Sequence, residues 1–232
     1  MPKHTFFVAG TDTDVGKTLV TSALLHLANE QGLKTLGLKP IAAGCESTPE
    51  GLRNDDALML EQHSSVKLPY DQRNPIALEQ AIAPHIAAAN SGKRISVDRI
   101  EGICRGAMMT PFDLCLIEGA GGWRVPLNQR ETMADIPKSL STPVILVVGL
   151  RLGCLNHALL TAEAIRRDTL NIAGWVANIV DPEMSEVSAN IDTLQYYFPF
   201  PLLGTIPFEK DITATSAAKH LDISKLLESP SH

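Results

Sequence analysis

The residues Gly10-Thr11-Asp12-Thr13-Asp14-Val15-Gly16-Lys17-Thr18 place a lysine and a hydroxyl at the end of a glycine-bounded loop. An apolar run precedes this loop and an amphipathic run, Leu19 to Leu25, follows it, which is the strand–loop–helix setting of a phosphate-binding loop. In that setting the backbone N–H groups of Thr13, Asp14, Val15, Gly16, Lys17, Thr18 and Leu19 surround phosphate oxygens. Lys17 adds a point charge, and the Thr18 hydroxyl is an oxygen ligand for Mg²⁺. Five residues separate Gly10 from Gly16, one more than the general pattern has, so the context carries the reading. Two further charged groups stand where apolar runs stop, Lys39 after Thr35 to Leu38 and Glu118 after Phe112 to Ile117. A carboxylate at the end of a buried strand is costly unless a cation or a metal meets it.

These groups need a frame. Short apolar runs rich in β-branched residues recur at Thr5–Ala9, Thr35–Leu38, Phe112–Ile117, Val144–Gly149, Ile172–Ile179 and Leu202–Ile206, and runs apolar on successive residues read as strands buried on both faces. Helical periodicity lies between them at Lys17–Asn29, Asn54–His63, Val97–Met108 and Asn156–Arg167. The alternation predicts an α/β fold of the P-loop NTPase type, a mostly parallel sheet with helices on both faces and its ligand site beyond the carboxyl ends of the strands. Gly44–Asn54 and Lys67–Ala83, rich in Pro, Gly and polar residues, read as long loops. Neither a repeat nor a linker interrupts residues 1–232, which are read as a single domain.

Composition limits the partners. Twenty basic against twenty-six acidic residues give a net charge of −6, and the basic pairs Lys93-Arg94 and Arg166-Arg167 are isolated, so no nucleic-acid partner is expected. The apolar stretch before Thr11 is short for a signal peptide, and the run Val144–Leu150 falls far below the ~20 residues of a membrane span. No membrane partner and a cytoplasmic location are expected. Cys45, Cys104, Cys115 and Cys154 show no C-x-x-C spacing and read as reduced thiols.

The loop Gly10–Thr18 resembles the signature of the dethiobiotin synthetase family. The resemblance continues in order through Gly37-Leu38-Lys39-Pro40-Ile41-Ala42, Thr48 to Ala57, Pro84-His85, Glu118-Gly119-Ala120-Gly121-Gly122-Trp123, Gly153 to Ala158 and Gly174 to Asn178, and reaches about Phe208. It implies a homodimer that carboxylates 7,8-diaminopelargonic acid with CO₂ and MgATP and closes the product ring, releasing ADP and phosphate. One amine would capture CO₂ as a carbamate, the carbamate would attack the γ-phosphate, and the second amine would close the ring. By the same resemblance Lys17 and Lys39 are catalytic, Thr18, Asp56 and Glu118 hold Mg²⁺, and Gly119, Ala120 and Gly121 approach the nucleotide. Asn178, Ile206, Pro207 and Phe208 would meet the adenine. Gly153, Cys154, Leu155 and Asn156, at a helix start, would bind the substrate carboxylate of the neighbouring subunit.

The sequence departs from that pattern at Ala43, where the family carries a hydroxyl, at Ala81-Ile82-Ala83, and at Asn190 in place of a tyrosine. The loss at Ala43 costs about 1 kcal/mol of a polar contact if nothing replaces it. Two other readings compete. A related amidoligase acting on another substrate would carry a glutaminase domain, for which this length has no room. A partition-type ATPase switch would carry a lysine where Asp12 stands and an amphipathic C-terminal helix, for which Asp222–Glu228 is short.

Overall fold

The computed structural model describes residues 3–227, so Glu228 of the C-terminal run lies outside the described residues. The chain opens with β1 (His4–Gly10), α1 (Lys17–Glu30) and β2 (Thr35–Leu38). It then forms the short β3 (Ile41–Ala43), β4 (Glu46–Thr48) and β5 (Gly51–Arg53), followed by α2 (Asp55–His63), α3 (Tyr70–Arg73), β6 (Ile76–Leu78), α4 (Pro84–Asn90) and α5 (Val97–Ala107). The second half alternates regularly through β7 (Leu114–Gly122), α6 (Asp135–Leu140), β8 (Val144–Leu150), α7 (Cys154–Arg167), β9 (Ile172–Ile179), α8 (Val187–Tyr197), β10 (Leu202–Ile206), α9 (Ala214–Ala218) and α10 (Ser224–Leu227).

Six strands form one sheet in the order β10-β9-β8-β1-β7-β2, and every pairing in it is parallel. Side chains alternate across the strands. Phe6 and Val8 of β1 pack with Val20 and Leu24 of α1 on one face, while Phe7 and Ala9 pack with Ile100 of α5 and Ala158 of α7 on the other. All seven residues of β8 are buried, as a strand covered on both faces requires. On α7, Ala158, Ala162 and Ile165 are buried, with Leu155 and Leu159 packed beside them.

Both outer strands have their free edge occupied. Along β2, Thr35 and Gly37 donate their N–H groups to Ser65 Oγ (2.8 Å) and Ser64 Oγ (2.9 Å). Their carbonyls accept from the N–H of Val66 (3.0 Å) and from the guanidinium of Arg73. At the opposite edge Gly204 of β10 bridges Leu221, Asp222 N–H donates to Leu203 O (2.7 Å) and Lys225 Nζ to Leu202 O (2.9 Å). Gly204 is required there: its φ is +155°, and a Cβ would stand 1.9 Å from His220 O.

Three expectations are corrected. Gly44–Asn54 contains the antiparallel pair β4–β5, and Lys67–Ala83 contains α3 and β6, the latter pairing in parallel with β3 through Ile41 and Ile76. Strands of three residues are too short to carry a period, so their Pro- and Gly-rich flanks masked them. Phe112–Ile117 is displaced: Phe112 is buried ahead of the strand, which starts at Leu114 and continues through Glu118 to Gly122. Glu118 therefore lies inside a strand, beside Val8, because a cation meets its charge there.

Candidate functional site

The loop after β1 turns into α1 through Gly16, whose φ of +85° is the left-handed conformation glycine tolerates. A Cβ at Gly16 would meet Asn178 Nδ2 at 2.1 Å, so the loop also needs glycine for close approach. Asn178 donates from Nδ2 to Val15 O (2.9 Å) and is itself buried. It lies within β9, in register with Ile206 of β10. Asp12 accepts from Thr13 N–H at Oδ1 (2.8 Å) and forms an ion pair with Arg151 through Oδ2. The pair ties the loop to the segment between β8 and α7.

Lys17 is buried, and its Nζ donates to Asp12 O (2.9 Å). Burial, with Lys39 nearby, lowers its pKa to about 8. Lys39 follows β2 and is also buried, but its surroundings are acidic: Nζ lies 2.6 Å from Glu118 Oε1, 2.9 Å from Asp56 Oδ2 and 3.3 Å from Gly119 O. Burial alone would lower the Lys39 pKa, but Glu118 and Asp56 outweigh it and raise it. Burial likewise pushes the Asp56 carboxyl up, and Lys39 and Thr18 outweigh that effect and hold it low. Asn54 caps α2 by accepting from Ala57 N–H (3.3 Å), which fixes the first turn that presents Asp56.

Thr18 Oγ1 donates to Glu118 Oε1 (2.7 Å), while the other carboxylate oxygen, Oε2, is buried with no hydrogen-bond partner among the described residues. An unpartnered buried carboxylate oxygen costs about 1–3 kcal/mol or more, and a divalent cation at that oxygen would remove the cost. The donor set of one hydroxyl and two carboxylates is all oxygen and sits beside the phosphate loop, so the residues present fit Mg²⁺.

A cleft of about 900 Å³ opens over these groups. Thr13, Asp14, Gly16, Lys17, Thr18, Lys39, Asp56, Ala120 and Gly121 line it, as expected. So do Ala43 and Ala81-Ile82-Ala83, which puts the family departures on the wall of the site. Ala42, Asn54, Pro84 and Val125 complete the lining and were not singled out by sequence reasoning as lining residues. Val15 and Leu19, expected to act through their backbone N–H groups, turn their side chains into the core. Gly119 is a glycine because a Cβ would stand 2.9 Å from Phe7, and its contribution to the site is its carbonyl.

The remaining expected residues lie elsewhere. Asn178 is behind the loop, on Val15 and Gly16; Ile206 is in the core beside it, and Phe208 is half exposed. Gly153, Cys154, Leu155 and Asn156 open α7 and do not line this chain's cleft. Gly153 has a φ of +92°, Cys154 is buried with its thiol 3.9 Å from Asn190 Oδ1, and the neighbouring Leu152 is 95% exposed. All four cysteines are buried and free. Among the described residues no helix is long and apolar enough to cross a membrane.

A family model described as an AAA domain matches residues 4–216. The ATP-dependent dethiobiotin synthetase BioD of Marinobacter nauticus is 57% identical over 235 residues, covering 98% of this chain and 100% of its own. The protein of the same name from Cellvibrio japonicus is 53% identical over 228 residues, again covering 98% and 100%. Among solved structures, the septum site-determining protein MinD of Pyrococcus horikoshii, complexed with Mg-ADP, superposes with a TM-score of 0.55 at 18% identity, covering 97% of this chain and 90% of that one. That likeness is one of fold.

Proposed function

The chain belongs to the ATP-dependent dethiobiotin synthetase family, and on that premise we propose how its residues divide the work of carboxylating 7,8-diaminopelargonic acid and closing the ureido ring of dethiobiotin. The observation that carries the assignment is that Lys17, Thr18, Lys39 and Asp56 line the phosphate-loop cleft together, with the buried Glu118 bonded to Thr18 and Lys39 from beneath.

The reaction forces anions together. A carbamate formed from one amine and CO₂, with loss of a proton, attacks the γ-phosphorus, and ADP leaves. The second amine then attacks the carbonyl carbon of the mixed anhydride, phosphate leaves and a proton is lost. Repulsion among carbamate, triphosphate and departing phosphate must be offset at the moment the phosphoryl group loosens. Lys17, which no carboxylate of the described residues neutralises within hydrogen-bond reach, answers the phosphates. Lys39, held charged by Glu118 and Asp56, presents a fixed cation to the carbamate and the transferring group.

Thr18, Asp56 and Glu118 are the residues that would hold Mg²⁺, which neutralises phosphate charge when bound. Asn178 holds the loop through Val15 O and leaves Oδ1 as the acceptor for an exocyclic amine of the base, with Pro207 and Phe208 following its register partner Ile206. The first turn of α7 lies outside its own cleft next to the exposed Leu152. This supports a homodimer in which Gly153–Asn156 of one subunit complete the carboxylate subsite of the other. The protein is proposed to work in the cytoplasm.

The test is release of ADP coupled to mass analysis of the product, omitting the diamine, bicarbonate and Mg²⁺ in turn. ADP should form only in the complete mixture, and the diamine should gain the mass of CO₂ less water. ATP hydrolysis without the diamine would instead support a nucleotide switch.

A further inference from the structure

Lys39 stands just beyond the regular sheet, so β2 pairing alone does not fix its backbone. Its peptide groups are held by two consecutive residues: its N–H donates to Arg73 O (3.0 Å), and its carbonyl accepts from Asn74 Nδ2 (2.6 Å). Asn74 Oδ1 accepts from the Tyr70 hydroxyl (3.2 Å), and the same Tyr70 oxygen accepts from Asn54 N–H (2.8 Å). Asn54 is the residue that caps α2, and its Nδ2 also donates to Ala43 O (3.4 Å) on the cleft wall. The first turn of α2 then returns Asp56 to Lys39 Nζ at 2.9 Å. The connections form a closed circuit: Lys39 backbone, Asn74, Tyr70, Asn54, α2, Asp56 and back to the Lys39 side chain.

We propose that Tyr70 and Asn74 are positioning residues that hold the Lys39 ammonium and the Asp56 carboxylate in mutual register for phosphoryl transfer. The circuit joins three segments, around residues 39–43, 54–56 and 70–74, that the main sheet does not align with one another. Asn54 and Asn74 are both buried, where an unmade hydrogen bond is expensive. The phenol of Tyr70 acts as donor on one side and acceptor on the other, which a hydroxyl can do and an amide cannot do with one atom. Arg53 lies over its ring, 4.2 Å from the centroid, a cation–π contact on the face of the ring.

Such a role matters because the three protons of the Lys39 ammonium already face Glu118, Asp56 and Gly119 O. A shift of α2 against residue 39 would pull that set apart, and misplacement by about 1 Å can cost about 10²-fold in rate. The inference rests on the reading of Lys39 as catalytic, so Lys39→Gln accompanies the test.

In the full-length protein, Tyr70→Phe removes one hydroxyl and keeps the ring under Arg53. It should lower kcat about tenfold while leaving the KM for ATP within about twofold, the calorimetric affinity for ADP unchanged and the thermal midpoint close to that of the unmodified protein. Asn74→Ser, which shortens the reach to Lys39 O, should act in the same sense. In an Asp56→Ala background Tyr70→Phe should cost less than about twofold more, since the circuit then has nothing to align. The proposal is overturned if Tyr70→Phe keeps full kcat while Lys39→Gln does not, or if its loss is the same in both backgrounds. Full turnover by Lys39→Gln would overturn the reading beneath it.

Discussion

Two lysines occupy one cleft and are treated in opposite ways. Lys17, on the phosphate-loop side, is buried against a backbone carbonyl, and its pKa falls to about 8. Lys39, on the β2 side, is buried between two carboxylates, and its pKa rises. Burial opposes charge at both positions, so the difference comes from the partners alone. The β2 side completes its charge balance within the protein, whereas the loop side leaves a cation with no carboxylate partner among the described residues, the charge that the proposed role of Lys17 assigns to a phosphate.

The comparison is broken most directly by removing each cation. Lys39→Gln should retain the fold and much nucleotide binding but lose about 10²–10³-fold in turnover. It should also lose about 3 kcal/mol of stability, because Glu118 remains buried without its partner. Adding Glu118→Gln should return stability but not turnover. Lys17→Gln should likewise lose turnover, here together with ATP affinity. Its stability should rise by about 1 kcal/mol, since a buried cation without a carboxylate is relieved. Denaturant unfolding of the nucleotide-free variants reads the two opposite signs, and equal signs would refute the contrast.

A pH series sharpens the same point. Between pH 8 and 10.5 the unfolded chain holds the Lys17 proton more firmly than the folded one, so this residue's penalty is full below about pH 8 and lifts as the pH rises toward 10.5. The advantage of Lys17→Gln over the unmodified protein should therefore shrink across that window. The contribution of Lys39 runs the other way: it is fully present below 10.5 and is lost only as the pH passes its raised folded value. The smallest effect is expected at the rim, where both partners of the Asp12–Arg151 pair are substantially exposed. Arg151→Ala should change stability by less than about 1 kcal/mol, read as a small shift in the denaturation midpoint.

The regular part of this molecule was readable because each long strand is a run of buried residues on both faces. The observed bounds of β2, β9 and β10 coincide with the runs Thr35–Leu38, Ile172–Ile179 and Leu202–Ile206. Polar residues that terminate an apolar run misled where a distant partner admits them into the sheet. Glu118 follows the run Phe112–Ile117 yet lies inside β7 because Lys39 satisfies it, whereas Asn178 falls within the run Ile172–Ile179 and is satisfied in β9 by the Val15 carbonyl. Lys17, Lys39, Asp56, Glu118 and Thr18 were legible through motif and resemblance, and the structure brings all five together. Tyr70 and Asn74 were not, since their significance lies in hydrogen bonds to residues 16 and 35 positions away, within a stretch that reads as a polar loop. Gly153–Asn156 are absent from the lining of their own chain's cleft, and their part in a neighbouring subunit's site rests on the resemblance.

The occupied edges of the main sheet bear on a different matter, the colloidal behaviour of the protein at high concentration. An outermost strand with open N–H and C=O groups is a template on which another chain can polymerise. Here the two serines and the Arg73 guanidinium take that role along β2, and the returning chain at Leu221 takes it along β10, where Gly204 lets the two backbones meet. Ser64, Ser65, Arg73 and Gly204 are thus safeguards against edge-to-edge fibre growth, and their importance would show in shelf life and expression yield before it showed in turnover.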